Sequence, residues 1–278
     1  METESIQAPW KQWVWYVVLS ALSLVVLFPV YMTLVRALST PATYAREGQP
    51  MYPVAIQWDV FARAFELGDL GPKLLTSAVV TIIIVSAQLV TSLLAAYAFA
   101  FLQFPFRRLL FAIFMATLML PIEVTLIPNA QTIRGLDLFN SFPGLTLPFL
   151  ATAFGTFLIR QGFLGIPRDL RDASQLDGFG HLAFLWRVAI PVSRPVIASF
   201  AVIAFLAAWN QYTWPRAIIS ESAWETIQIG LKSVSASTVD QNNIGFAAAI
   251  IAALPVLALL ILLQRQLIRG LTAGAVKG

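Results

Sequence analysis

The 278-residue chain contains no cysteine, which excludes disulfides, thiolate metal sites and cysteine nucleophiles. Its single histidine, His181, leaves too little material for a zinc site or a Ser-His triad. Charge is scarce as well: Asp, Glu, Lys and Arg make up 12% of the residues, about half the share usual in soluble domains. No glycine-rich phosphate loop is complete. Gly230-Leu231-Lys232-Ser233 ends like one, but position 225 is Glu where the first glycine would stand. Neither nucleotide hydrolysis, a catalytic residue, a metal site nor a bound cofactor is therefore expected of this chain itself. Internal repeats strong enough to argue an inverted-repeat transporter are also missing, and so are low-complexity segments.

What is present is apolar sequence. Hydrophobic residues make up 58% of the chain and the mean hydropathy is +0.77, so the bilayer is the natural solvent. The net charge of +4 and sequence pI of about 9.6 do not argue for nucleic acid, because the basic residues are dispersed around apolar runs; membrane topology explains them. A bilayer-crossing helix needs roughly 20 apolar residues. Six candidates stand at about 13–36, 74–102, 108–131, 143–164, 194–216 and 244–264. The first is too long for the h-region of a cleaved signal peptide, and its Trp13-Val14-Trp15-Tyr16 cluster fits an interfacial belt, so it reads as an uncleaved span. The expected fold is an all-α polytopic membrane protein, one transmembrane domain over residues 1–278.

Six spans put both termini on one side. If that side is cytoplasmic, it holds 11 of the 18 basic residues against five acidic ones, and the outer side holds seven basic and nine acidic. The positive-inside rule favours this orientation. It predicts outer segments at 37–72, 132–142 and 216–243, the first a packed or partly helical cap, and a cytoplasmic segment at 167–191 between spans four and five.

Polar residues inside spans are functional candidates. Glu123 lies 15 residues beyond Arg108, about 22 Å deeper at helical rise. Asn210 and Gln211 lie 16 and 17 residues beyond Arg194 on a span running the same way, so all three reach similar depth in the outer third of the membrane. They form either a polar patch on the solute pathway or a structural hydrogen bond between Glu123 and Asn210 or Gln211. Pro121 and Pro128 are expected to kink span three around them. Gln88 and Ser92 read as helix–helix contacts, and His181 as a solvated or docking-surface residue.

The segment Arg168–Pro191 concentrates charge that the rest of the chain lacks. Pro167 can precede a helix start, Arg168–Leu176 makes two turns, and Gly178 allows a backbone with positive φ. A second helical stretch, Leu182–Val188, is expected to end before Pro191. The result is helix, glycine turn, helix, presented to the aqueous phase. Within it, Asp172-Ala173-Ser174, two residues, Asp177-Gly178-Phe179 and the closing Val188-Ala189-Ile190-Pro191 resemble the EAA motif of binding-protein-dependent ABC importer permeases. Three positions depart from that pattern: Asp172 for Glu, Ser174 for the second Ala, Phe179 for Ala. The shorter reach of Asp172 weakens any salt bridge it makes.

The resemblance extends over nearly the whole chain, down to the tail Gly270–Gly278, and is of the maltose-permease-G type. Leu118-Met119-Leu120-Pro121-Ile122-Glu123-Val124, Gly144-Leu145-Thr146-Leu147-Pro148, Thr156-Phe157-Leu158-Ile159-Arg160-Gln161 and Trp209-Asn210-Gln211-Tyr212 followed by Trp214-Pro215 resemble the glycerol-3-phosphate permease group within that type. The resemblance implies a non-enzymatic permease in the bacterial inner membrane, forming half of a pathway for sn-glycerol-3-phosphate or glycerophosphodiesters such as glycerophosphocholine. It implies a second permease subunit, a homodimeric ATPase that holds the ATP and Mg, an extracytoplasmic solute-binding protein, and no nucleic acid partner. Asp172, Ala173, Ser174, Asp177, Gly178, Phe179, Leu182, Phe184 and Pro191 would then couple to the ATPase, with Phe179, Leu182 and Phe184 as apolar anchors and Leu176 and Trp186 packed internally. Glu123, Asn210 and Gln211 would line the pathway. Lys232, Ser233 and Ser235 would face the binding protein, and the tail would reach the ATPase. The alternatives are a permease of the same type for a neutral sugar and an ion-coupled secondary transporter.

Overall fold

The computed structural model describes residues 9–237 and 241–273, and these are all-α: every regular element among them is helical. The side chains of 9–11, 122, 235–237 and 266–273 are not described. The chain forms two compact units, one of residues up to 70 together with 231–252, the other of 71–230 together with 253 onward.

In the first unit, α1 (Pro9–Leu38) exposes its apolar residues from Trp13 to Val30 and buries only its last turn, Val35, Ala37 and Leu38. Ser39 ties that turn down: its hydroxyl donates to the Val35 carbonyl (2.7 Å) and accepts from the Val54 N–H (3.1 Å). Two short helices follow, α2 (Pro41–Arg46) and α3 (Val60–Leu67), so the expected cap over 37–72 is partly helical. Gln57 Oε1 accepts from Arg63 Nη2 (2.6 Å) and from Asn243 Nδ2 (2.8 Å), which closes this unit.

The second unit starts with α4 (Leu70–Phe101), followed by α5 (Arg107–Ala116), α6 (Ile122–Gly135), α7 (Phe142–Thr146) and α8 (Ala153–Leu164). Then come α9 (Arg168–Leu176), α10 (His181–Phe184), α11 (Ile190–Val192), α12 (Arg194–Trp209) and α13 (Thr213–Ile218). α14 (Ile227–Ser237) and α15 (Asn242–Ala273) run through both units.

Among the described residues, three helical segments are long and apolar enough to cross a membrane: Gln12–Leu38, Leu70–Phe101 and Asn242–Arg265. Three further helix pairs pass the same test together but are bent. Residues 107–119 and 123–135 meet at 100°, 142–149 and 153–164 at 49°, and 181–192 and 194–209 at 81°. The first bend falls at Pro121, which has no N–H to continue the ladder and holds Leu120 extended (φ −81°, ψ 118°). The predicted span 194–216 is not one continuous helix. α12 stops at Trp209, so Asn210 and Gln211 lie in a break before α13.

Close approach of α8 to its neighbours depends on Gly155. A Cβ there would collide with the Phe200 ring and lie 2.5 Å from Ser92 Oγ, so the side chains of α4 and α12 fill the space over Gly155. Gln88 serves as expected of a helix contact, donating to the Phe149 carbonyl at 2.8 Å.

A second tie is Asn140, in the left-handed region (φ 50°) that Asn tolerates better than most residues. Its Oδ1 accepts from the Ser220 (2.8 Å) and Glu221 (3.3 Å) N–H groups, and its Nδ2 donates to Ser220 Oγ (3.0 Å), stitching the loop before α7 to the loop after α13. Asn140→Ala is expected to lower stability by about 1–2 kcal/mol through these lost acceptors. Thermal unfolding of the purified protein measures it. An equal loss in Asn140→Gly, which keeps the backbone freedom, assigns the effect to the side chain; a stable Asn140→Gly assigns it to the backbone.

Candidate functional site

The charged segment folds as a helical hairpin. α9 spans Arg168–Leu176, the predicted bounds, and Pro167 is its N-cap residue. It ends in a Schellman arrangement: the Gly178 N–H donates to the Gln175 carbonyl (3.0 Å), the Phe179 N–H to the Ser174 carbonyl (2.9 Å), and Gly178 takes φ 75°. A Cβ at Gly178 would meet nothing within 4 Å, so crowding within this chain does not require glycine; the backbone conformation does.

The second arm differs from expectation. Helical backbone continues past Pro191 to Val192, because residues 185–189 form a π-turn. The wider turn makes room at the Arg187 carbonyl, where a proline ring four residues on would clash with a regular α-helix.

This arm packs down on the span ends. Phe184 is 4% exposed and joins Leu185 and Ala189 in a core with Tyr97, Ile159, Phe163 and Phe200. Its ring stands edge-on to Phe101 at 5.3 Å. Phe184 therefore belongs to the internal core, which corrects its expected place as an exposed anchor. The reverse holds for Leu176 and Trp186, expected inside: they are 90% and 65% exposed. Leu182 is 68% exposed, as a docking anchor requires, and lies four residues from Trp186 on one helical face. That spacing, opposed to the inward Phe184–Val188 pair, is the sequence signal that would have sorted the two sets.

Asp172, Ala173, Asp177 and Gly178 are exposed, Phe179 and Pro191 are half-buried, and Ser174 is buried, its hydroxyl donating to the Arg171 carbonyl (2.7 Å). Neither Asp172 nor Asp177 makes an ion pair among the described residues. The outer surface of the hairpin thus offers two unpaired carboxylates beside Leu176, Leu182 and Trp186. His181 is exposed but not merely solvated: its Nδ1 shares a 3.0 Å hydrogen bond with the hydroxyl of buried Tyr97 on α4.

The polar group deeper in the chain is arranged differently from its sequence depth. Glu123 sits in the first turn of α6, where the helix dipole favours a carboxylate. It lines a pocket with Thr125, Leu126, Asn129, Phe149, Thr213 and Trp214. Trp214 is fixed there by its Nε1 hydrogen bond to the Gly144 carbonyl (3.2 Å) and by edge contact with Phe149. Asn210 does not bond Glu123. Its Oδ1 accepts from Gln228 Nε2 (3.3 Å), while Gln211 Oε1 is enclosed with no hydrogen-bond partner among the described residues. The structural hydrogen bond from Glu123 to Asn210 or Gln211 is accordingly not formed among the described residues. The pocket lining combines a carboxylate, two threonines and an asparagine with aromatic walls.

The predicted outer loop 216–243 is largely helical. Lys232 and Ser233 are exposed on α14, whereas the side chain of Ser235 and the tail from Gly274 lie outside the described residues. Just before α14, Lys73 and Glu225 form a 3.2 Å ion pair, largely screened from solvent. Gly230 lies so close to Lys73 that its Cβ would sit 2.5 Å from the Lys73 Cδ.

Comparison with known proteins fits this architecture. The family described as binding-protein-dependent transport system inner membrane component matches residues 88–273. The sn-glycerol-3-phosphate transport system permease protein UgpE of Yersinia enterocolitica is 35% identical over 256 residues, covering 89% of this chain and 91% of the relative. The protein of the same name from Pectobacterium atrosepticum is 36% identical over 256 residues, with the same coverage. One solved chain, from a bacterial ABC transporter involved in the import of the acidic polysaccharide alginate, superposes with a TM-score of 0.78 at 21% identity, over 95% of this chain and 99% of that one. That likeness concerns the fold. Together the family match and the relatives along most of both chains give the assignment: the chain belongs to the binding-protein-dependent transport system inner membrane components.

Proposed function

We propose that this chain is a permease subunit of an ABC importer for sn-glycerol-3-phosphate or a glycerophosphodiester such as glycerophosphocholine. The observation that carries the solute class is the run of glycerol-3-phosphate permeases at 34–36% identity along 89% of the chain. In this reading the three long helices, the bent pairs 107–135 and 142–164, and the segment that starts with α12 at Arg194 are six spans of one permease domain, with both termini and the 167–191 hairpin in the cytoplasm. The chain carries no catalytic residue, and ATP and Mg bind a homodimeric ATPase partner. A second permease completes the pathway, and an extracytoplasmic binding protein delivers the solute.

The hairpin is the coupling element. Asp172 and Asp177 supply unpaired charge to the ATPase, Gly178 keeps the tip narrow, and Leu176, Leu182 and Trp186 supply apolar contact. Phe184 and Pro191 act from behind, anchoring the hairpin to the span ends so that ATPase closure moves the spans with it. Glu123 lines the pathway; as a carboxylate it suits the hydroxyls of a glycerol moiety rather than its phosphate. Asn210 and Gln211 border the same region. Lys232, Ser233 and Ser235 face the binding protein.

Proteoliposomes holding the assembled complex and binding protein test the energy source. Uptake of labelled sn-glycerol-3-phosphate is expected to require ATP on the cytoplasmic side and to survive a protonophore. Uptake that ignores ATP and collapses with the protonophore would restore the ion-coupled secondary transporter.

A further inference from the structure

The turn between α4 and α5 carries charge that the proposed transport cycle leaves unused. Phe106 adopts a left-handed backbone (φ 59°) and projects outward, 75% exposed, at the start of α5. Gln103, Phe104, Phe106, Arg107, Arg108 and Leu109 line an open pocket there. Arg107 Nη1 donates to the Leu102 carbonyl (2.8 Å), and Arg160 on α8 donates from Nε to the Phe99 carbonyl (3.2 Å) while lying over the Phe111 ring (4.3 Å). None of Arg107, Arg108 and Arg160 makes an ion pair among the described residues.

Arg107 and Arg108 both line the pocket with no carboxylate among its lining residues, and two guanidiniums at one open pocket call for an anion. The start of α5 adds to this, since no side chain caps it and the first N–H groups of a helix point outward. The pocket also opens onto an apolar stripe. Phe106, Leu109, Leu110 and Ile113 are all exposed and fall at the i, i+3, i+4, i+7 spacing of one helical face. A ligand matching both features has a negative head and an apolar tail.

We propose that this turn binds an anionic phospholipid, with its phosphate between Arg107 and Arg108 and an acyl chain along the exposed stripe of α5. The leaflet concerned is the cytoplasmic one, which rests on the topology proposed above and is where anionic headgroups attract basic residues. The bound lipid would fix the α4–α5 turn, and with it the end of α4 against which the hairpin packs.

Native mass spectrometry of the assembled complex, without ATP or solute, tests the site with phosphatidylglycerol, phosphatidylcholine and inorganic phosphate as probes. The complex is expected to hold phosphatidylglycerol in preference to phosphatidylcholine. Arg108→Gln, at an exposed position, is expected to weaken phosphatidylglycerol about fivefold, and the Arg107→Gln/Arg108→Gln pair about 25-fold, with assembly unchanged. Equal retention of the two lipids, or no response to either variant, overturns the proposal. So does displacement by millimolar inorganic phosphate, which makes the ligand a free anion, or a stripe found covered by the second permease. Lipid binding is read independently of transport. Labelling a Gln103→Cys variant of this cysteine-free chain from each side tests the topology separately.

Discussion

Gly178→Arg is expected to abolish coupled uptake in a complex that still inserts and assembles. Gly178 ends α9 at the tip of the hairpin with φ 75°, and nothing in its own chain lies within 4 Å of where a Cβ would point. A long cationic side chain there meets no intramolecular obstacle; it obstructs whatever the tip enters, beside Asp172 and Asp177. Loss of one central docking contact is worth about 2 kcal/mol or more, so uptake should fall by roughly thirtyfold or more. Gly178→Ala separates the contributions, because it adds only the cost of the left-handed backbone, about 1 kcal/mol, with little bulk. Uptake measured against membrane-inserted protein decides the matter. Wild-type uptake by an assembled Gly178→Arg complex would show that the tip docks nowhere.

Gly155→Leu is expected to prevent the second unit from forming. The glycine lets α8 approach α12 and α4 so closely that a single methyl group would strike the Phe200 ring and Ser92 Oγ. Overpacking of that kind by one carbon costs about 1–3 kcal/mol. Leucine adds three more carbons at a site whose neighbours Phe200 and Ser92 are fully buried, so a loss beyond the total stability of a typical domain, about 5–15 kcal/mol, is within reach. The readout is the amount of protease-resistant protein in the membrane: reduced for Gly155→Ala and near zero for Gly155→Leu. Normal accumulation of Gly155→Leu would mean that α8 and α12 do not pack as described.

The difference between these two glycines bears on what the sequence could disclose. Gly178 was legible because it follows an amphipathic helix whose start and end are marked by Pro167 and Asp177-Gly178; local backbone rules suffice. Gly155 was not, since its partners Phe200 and Ser92 lie 45 and 63 residues away in sequence. The same limit hid the Tyr97–His181 hydrogen bond, the Lys73–Glu225 pair and the Asn140 stitch, each of which joins distant segments. Apolar runs located the membrane-type helices but not their straightness. A proline marks the bend at Pro121, whereas the break at 150–152 has none, and there Thr152 simply turns extended (φ −142°, ψ 134°). Periodicity contained the answer for Leu182 and Trp186 against Phe184. The π-turn at 185–189 obscured how far that face continues, because it shifts the register mid-helix. Glu123 was recognised as an unusual carboxylate in apolar surroundings. Its pocket partners Thr213 and Trp214 were not, since sequence depth pointed to Asn210 and Gln211, whereas the helix ends at Trp209 and the pocket is lined by the residues just beyond them.

The measurement that bears most directly on the account is the ATPase activity of the reconstituted complex with its binding protein, compared across sn-glycerol-3-phosphate, glycerophosphocholine and maltose. Stimulation by one of the glycerophosphate compounds, and not by maltose, is the expected result. Stimulation by maltose alone would keep the coupling mechanism and replace the solute with a neutral sugar. An assembled complex whose ATPase ignores every solute would contradict the account at its centre.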